Sequence, residues 1–354
     1  MKFKNIVIPV VAIAVALIFG AIIIAVMGLD PLLAYESLVQ GAFGSVYGVT
    51  TTLAKATPLI FTGLSFALAK KTGLLNIGAE GQLYMGGLCS VLVAAYLPPM
   101  PMILHLSLEI LAGFTGGGLW GLLAGWLKVR FGSSEIITTV MLNYTAMFFI
   151  AYMVNGPIIE PPGNLPQSKP IPPSAIFPSL IPNTQLHLGF AIAILMAVFY
   201  YIFLWHTRKG YEARVVGLNP EAATYAGMNK NRLVFLIMFL AGGLGGLAGS
   251  SEILGIQHRL FQAFSPGYGY DGIAVALLGL NSPIGTVLAA ILFGALRSGG
   301  DMMQMVAHVP LAIIYVIQAL VIMFVAAEYL FRRFGGFKQR AAKLLKGAGK
   351  HESV

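Results

Sequence analysis

The chain lacks what a water-exposed or catalytic surface needs. Of its 354 residues only 10% are charged, where a soluble domain carries about 25%. Acid is the scarcer sign, with 13 Asp and Glu against 22 Lys and Arg, for a net charge of +9. The single cysteine, Cys89, lies inside an apolar run. It excludes an internal disulfide, has no CxxC partner and reads as a small packing residue. There is no G-x-x-x-x-G-K-[ST] phosphate loop and no H-E-x-x-H, and the six histidines are scattered without metal-ligand spacing. These gaps leave no catalytic residue, metal ligand or nucleotide-hydrolysing site to name, and no cofactor for this chain to bind. The basic balance does not point to nucleic acid, because the charges sit between apolar runs and at the ends.

What is abundant is apolar sequence. Hydrophobic residues make up 57% of the chain and the mean hydropathy is +0.82, so lipid is the solvent for most of it. Apolar runs fall at about 5–28, 51–69, 74–97, 106–127, 135–154, 187–205, 233–254, 268–280, 284–297 and 309–331. The eighth and ninth are short for plain spans. The expected fold is all-α: one polytopic membrane domain over residues 1–354, with about ten spanning helices, some short or broken. The first run is long for a signal peptide and reads as an uncleaved membrane helix.

Basic residues set the expected orientation. With the N-terminus inside and ten crossings, 18 of the 22 Lys and Arg fall on inner segments. Lys55, Lys169, Arg259 and Arg297 are the others, placed outside or near the outer face. Both termini are then cytoplasmic, as are a basic tail at 332–354 and a central loop at 207–232. Residues 155–184, dense in proline, form an extended external loop, either a plain connector or a partner's docking surface. Residues 29–50 are mildly amphipathic and read as interfacial.

The central loop, TRKGYEARVVGLNPEAATYAGMNKNR, holds a short helix signal. Asn219 precedes Pro220, a favoured first-turn residue, and Gly227 is a stop. Glu221, Ala222, Ala223, Tyr225 and Ala226 complete it, and its small alanines suit insertion into a partner's groove. The alternative is an ordinary positive loop.

Few polar residues lie within the runs. In GLLNIGAEGQ, residues 73–82, Asn76 and Glu80 are four apart and would share a helix face, with Gln82 beside them. They line a solute path or pin helices together; alternatively, Glu80 is solvated near the inner interface. Asn143 stands mid-span. Ser133-Ser134 before Glu135 reads as a helix cap. Tyr268, Tyr270 and Asp271 in SPGYGYDG open a broken helix, the tyrosines facing either a planar or sugar-like solute or the membrane interface. PLIFTGLSFALAKKTGLLNIGAEGQL and GYDGIAVALLGLNSPIGTVLAAILFGAL both run helix, glycine-containing break, helix, as in an internal repeat.

GLLNIGAEGQ, SSEIITTVMLNY (133–144), VVGLNPEAATYAGMNKNR (215–232) and GYDGIAVALLG (269–279) with the following NSPIGT, in this order, resemble the permease subunits of ABC importers. The group is that for branched-chain amino acids and simple sugars, and the nucleoside-like branch is nearest. The resemblance covers about residues 50–330. It implies transport of nucleosides, with a simple sugar as the alternative, across a bacterial cell membrane by alternating access. It further implies a second permease, identical or homologous, and an extracytoplasmic solute-binding protein or lipoprotein. A cytoplasmic ATPase holding ATP and Mg would dock at residues 219–227. An ion-coupled carrier and a membrane-embedded enzyme are the rival classes.

Overall fold

The computed structural model describes residues 4–98, 100–310 and 312–324. The basic tail at 332–354 and Lys2 lie outside the described residues. The described chain is helical: α1 Lys4–Val26, α2 Pro31–Phe43, α3 Val46–Lys71, α4 Ala79–Tyr96, α5 Met102–Phe131 and α6 Glu135–Asn155. Then come α7 Leu188–His206, α8 Arg208–Leu218, α9 Pro220–Tyr225, α10 Lys230–Glu252, α11 Tyr268–Leu278, α12 Pro283–Ala307 and α13 Ala312–Phe324. Over its described residues, each expected apolar run coincides with a helix; residues 325–331 of the tenth lie outside them. Among the described residues, six helices are long and apolar enough to cross a membrane: α3, α5, α6, α7, α10 with its following turn, and α12.

The ninth run corrects the sequence reading. It was expected to be short at 284–297, yet α12 continues to Ala307. Arg297 and Asp301 interrupt the hydropathy without interrupting the helix. The interfacial stretch 29–50 holds α2 and the first turn of α3. Ser134 caps α6 by position but makes no side-chain cap bond; Glu135 instead pairs with Lys128 at the end of α5.

Residues 39–299 form one compact unit. Its centre is built on glycine. Gly113, Gly117 and Gly121 of α5 face Gly242 and Gly246 of α10, and Gly86 of α4 faces Gly246. A Cβ at any of these positions would run into the opposing backbone or side chains. Small residues at i, i+4 let helix backbones approach within a membrane, where packing replaces the hydrophobic effect as the driving force. A second unit comprises the described residues before Val39 and after Gly299. Its core is Ile24, Ala34, Met303, Val309, Ile314 and Ile317.

Glycine also terminates helices. Gly73, at φ +79°, ends α3, with Leu74 N–H donating to Ala69 O (3.0 Å) and Gly73 N–H to Lys70 O (3.2 Å). Gly227, at φ +76°, ends α9 with the same pair: Met228 N–H to Ala223 O and Gly227 N–H to Thr224 O, both 3.0 Å. This motif needs a left-handed residue after the helix, a conformation that costs glycine nothing.

The proline-rich loop is tied down. Ser168 N–H donates to Leu260 O, Ile171 N–H to His258 O and Phe177 N–H to Leu254 O. Arg259 pairs with Glu160 at 2.7 Å. The loop thus straps the π-turn Ile253–Gln257 that follows α10. His187 closes the strap: its Nδ1 accepts from Gly189 N–H (3.1 Å) at the start of α7. Burial, with His258 nearby, pushes the His187 imidazole down to about 4, which keeps that nitrogen an acceptor.

Candidate solute path and coupling surface

Asn76 does not share a helix face with Glu80. Because Gly73 ends α3 and α4 begins only at Ala79, Asn76 lies in the extended segment between them. Its Oδ1 accepts from Gly78 N–H (3.0 Å) and from Gln82 Nε2 (3.0 Å), while its Nδ2 donates to Gln82 Oε1 (2.9 Å) and Ser65 Oγ (3.2 Å). Both amides are buried. A pair that satisfies itself in this way holds a buried non-helical backbone in place.

Glu80 is 2% exposed, which rules out the solvated reading. Its Oε2 accepts from Gly269 N–H at 2.6 Å, and Ser265 hydrogen-bonds the same carboxylate. Gly269 belongs to the first turn of α11, where unpaired N–H groups and the helix dipole favour an anion. The carboxylate of α4 therefore caps α11. Gly269 allows this approach, since a Cβ there would collide with the backbone of Glu80.

Asn143 of α6 completes the junction. Its Oδ1 accepts from Gly81 N–H (2.8 Å), and its Nδ2 donates to Ile77 O (3.0 Å) and Tyr270 Oη (3.3 Å). Asn76, Glu80, Gln82, Asn143 and Tyr270 are thus brought together. Tyr270 is 40% exposed and Tyr144, on α6 beside Asn143, is 49% exposed.

Tyr268 behaves otherwise than expected. It is buried, its carbonyl accepts from Thr62 Oγ1 (3.0 Å), and the Arg297 guanidinium covers its ring at 4.6 Å. It is packed inside the chain, whereas Tyr270 is open at the surface. Arg297 also donates to Asp271 Oδ2 at 2.6 Å, and Lys55 Nζ donates to Arg297 O at 3.3 Å. Arg297 and Lys55 therefore serve the bundle interior, a role the basic-residue count passed over.

A second buried pair also escaped notice. His105 Nε2 lies 3.2 Å from Glu109 Oε1, both side chains fully buried on α5. His105 Nδ1 meets Ser174 Oγ of the strap at 3.0 Å. The i, i+4 spacing in HLSLE was the available signal.

On the basic face, α8 packs against the α3–α4 turn, where Gly217 and Gly73 make room for each other. Asn219 Oδ1 accepts from Glu221 and Ala222 N–H, both at 3.0 Å, and Pro220 occupies the first helical position. Leu218 (88%) and Tyr225 (94%) are the most exposed apolar side chains nearby, and Ala222 and Ala226 are exposed with them. Ala223 is buried in this chain, so its small side chain does not belong to the outward face.

Residues 48–326 match the family model described as branched-chain amino acid transport system / permease component. The chain belongs to this permease family. It is a transport subunit, not an enzyme. The permease is 36% identical to the guanosine ABC transporter permease protein NupP of Bacillus subtilis, over 96% of this chain and 99% of the relative. It is 38% identical to the nucleoside ABC transporter permease protein NupB of Lactococcus lactis, over 93% of each. It is 36% identical to the glucose ABC transporter permease protein TsgB13 of Haloferax volcanii, over 92% of this chain and 88% of the relative.

Proposed function

We propose that this permease is the membrane subunit of an ABC importer for nucleosides, with the solute passing along the edge where α6 meets the start of α11. The observation that carries the reading is the hydrogen bonding of that edge. The Glu80 carboxylate is taken up by Gly269 and Asp271 by Arg297, while Tyr270 and Tyr144 stay open. A path whose carboxylates are already bonded within the protein and whose phenol rings are open suits a neutral solute carrying a planar ring and hydroxyls. It suits a zwitterionic amino acid poorly. Two of the three relatives above are named for guanosine and nucleosides.

Of the six candidate spans, α6 is the least covered, with 22% of its apolar window buried. A second permease, identical or homologous, covers that face and closes the path between the two. An extracytoplasmic solute-binding protein delivers solute at the strapped face. A cytoplasmic ATPase carrying ATP and Mg docks on α9, with Leu218 and Tyr225 as its apolar contacts. Both termini are cytoplasmic, by the partition of Lys and Arg.

A sugar is the second reading, supported by the glucose relative at 36% identity, the same as the guanosine relative. Solute-dependent ATPase activity of the reconstituted complex separates them. Stimulation by nucleosides, and not by hexoses, pentoses or branched-chain amino acids, is expected. Stimulation by glucose alone replaces the nucleoside reading, and stimulation by amino acids alone overturns the neutral-path argument.

A further inference from the structure

We propose that Arg214, Trp205 and the slot between α7 and the start of α12 bind one anionic phospholipid. Tyr201 and Trp205 lie one turn apart on α7 and stack at 5.5 Å with 22° between their rings. Arg214 of α8 places its guanidinium 5.9 Å from the Trp205 ring and 5.9 Å from the Tyr211 ring. Its Nε is buried without a hydrogen-bond partner. Glu212, the acid of α8, is taken by Arg208 at 3.4 Å and Lys209 at 2.7 Å. Arg214 thus presents a positive charge framed by aromatic rings at the basic end of a spanning helix, the level of the phosphates.

Directly along α7, Tyr201 forms the rim of a slot of about 350 Å³ walled by Ile194, Val198, Ile284 and Leu288. Val198 (49%), Ile284 (74%) and Leu288 (62%) open it to the bilayer side. Tyr200 Oη donates to Asn281 O at 2.9 Å, which holds the two walls together. The slot is lined by apolar side chains along its length, which suits an acyl chain. The headgroup charge and the chain position agree on a lipid.

Native mass spectrometry of the detergent-purified permease tests this with added phosphatidylglycerol, with phosphatidylcholine of the same acyl chains, and with soluble glycerophosphoglycerol as competitor. One phosphatidylglycerol per chain is expected to remain bound, with retention about fivefold above phosphatidylcholine, as one basic contact at a lipid surface gives. Arg214→Gln is expected to abolish that preference and Arg214→Lys to keep most of it. Val198→Trp, which fills the slot, is expected to lower retention of both lipids. Equal retention in Arg214→Gln and the unaltered chain overturns the proposal. So does displacement of the lipid by the soluble headgroup alone, or a slot occupied by a second copy of the chain.

Discussion

Two groups of polar side chains lie within the same bundle, and they differ in who uses their atoms. At the α3–α4 break, Asn76 and Gln82 satisfy each other and Glu80 caps α11, so the bonding capacity is taken up by the protein. At the α6–α11 edge, Asn143 is likewise committed, but Tyr270 and Tyr144 keep their ring faces open. The lesson is that an intramembrane polar residue is not by itself a solute contact. A buried group that is fully paired fixes helices in place, and only a group with unused surface can meet a passing molecule.

The contrast is sharpest at Gly269. Gly269→Ala puts a methyl group into the backbone of Glu80 and is expected to cost about 3 kcal/mol, at the upper end for overpacking. Membrane abundance should fall several-fold, and uptake with it in proportion. Normal abundance with impaired uptake would instead move this junction into the solute path.

Glu80 comes next. Glu80→Leu leaves Gly269 N–H without its acceptor, an expected loss of about 2 kcal/mol, whereas Glu80→Gln keeps an oxygen for it. Thermal unfolding in detergent should rank the unaltered chain above Glu80→Gln and Glu80→Leu last. If Glu80→Leu is as stable as the unaltered chain yet transports nothing, the carboxylate acts on solute and the division between the two groups fails.

Tyr270→Phe should have the smallest effect on the fold, about 1 kcal/mol or less for one partly exposed hydrogen bond. Its mark is expected in transport: a several-fold rise in the half-saturating solute concentration at unchanged abundance. Unchanged uptake would remove the edge from the path.

The strap offers a control outside the bundle. His187 is neutral in the folded chain, with its imidazole held down at about 4, against about 6.5 when unfolded. The unfolded state therefore binds more protons between these values. Stability from this site is complete above about pH 6.5 and declines as pH falls towards about 4. Proteolysis of the 156–187 loop should accelerate across that window, and His187→Gln should flatten the dependence.

How legible each feature was followed from how local it is. The capped helix at Pro220 was readable because Asn219, Pro220 and Gly227 act through neighbours two or three residues away. Its outward face was misjudged at Ala223, since the burial of an alanine depends on what the helix lies against. The Asn76–Glu80 face was misread because one glycine, Gly73, stopped the helix that the spacing assumed.

Composition and order alone determined that lipid is the solvent, that ten apolar segments become helices, and that the basic residues gather at particular ends of them. Those outcomes follow from hydropathy, length and local backbone preference, which act within a few residues. The tertiary structure alone decided which polar atoms are spent. The partner of Glu80 lies 189 residues away at Gly269, that of Gly81 is 62 away at Asn143, and that of Asp271 is 26 away at Arg297. Without water inside the bilayer each such atom must find a partner in the protein, and packing chooses which one.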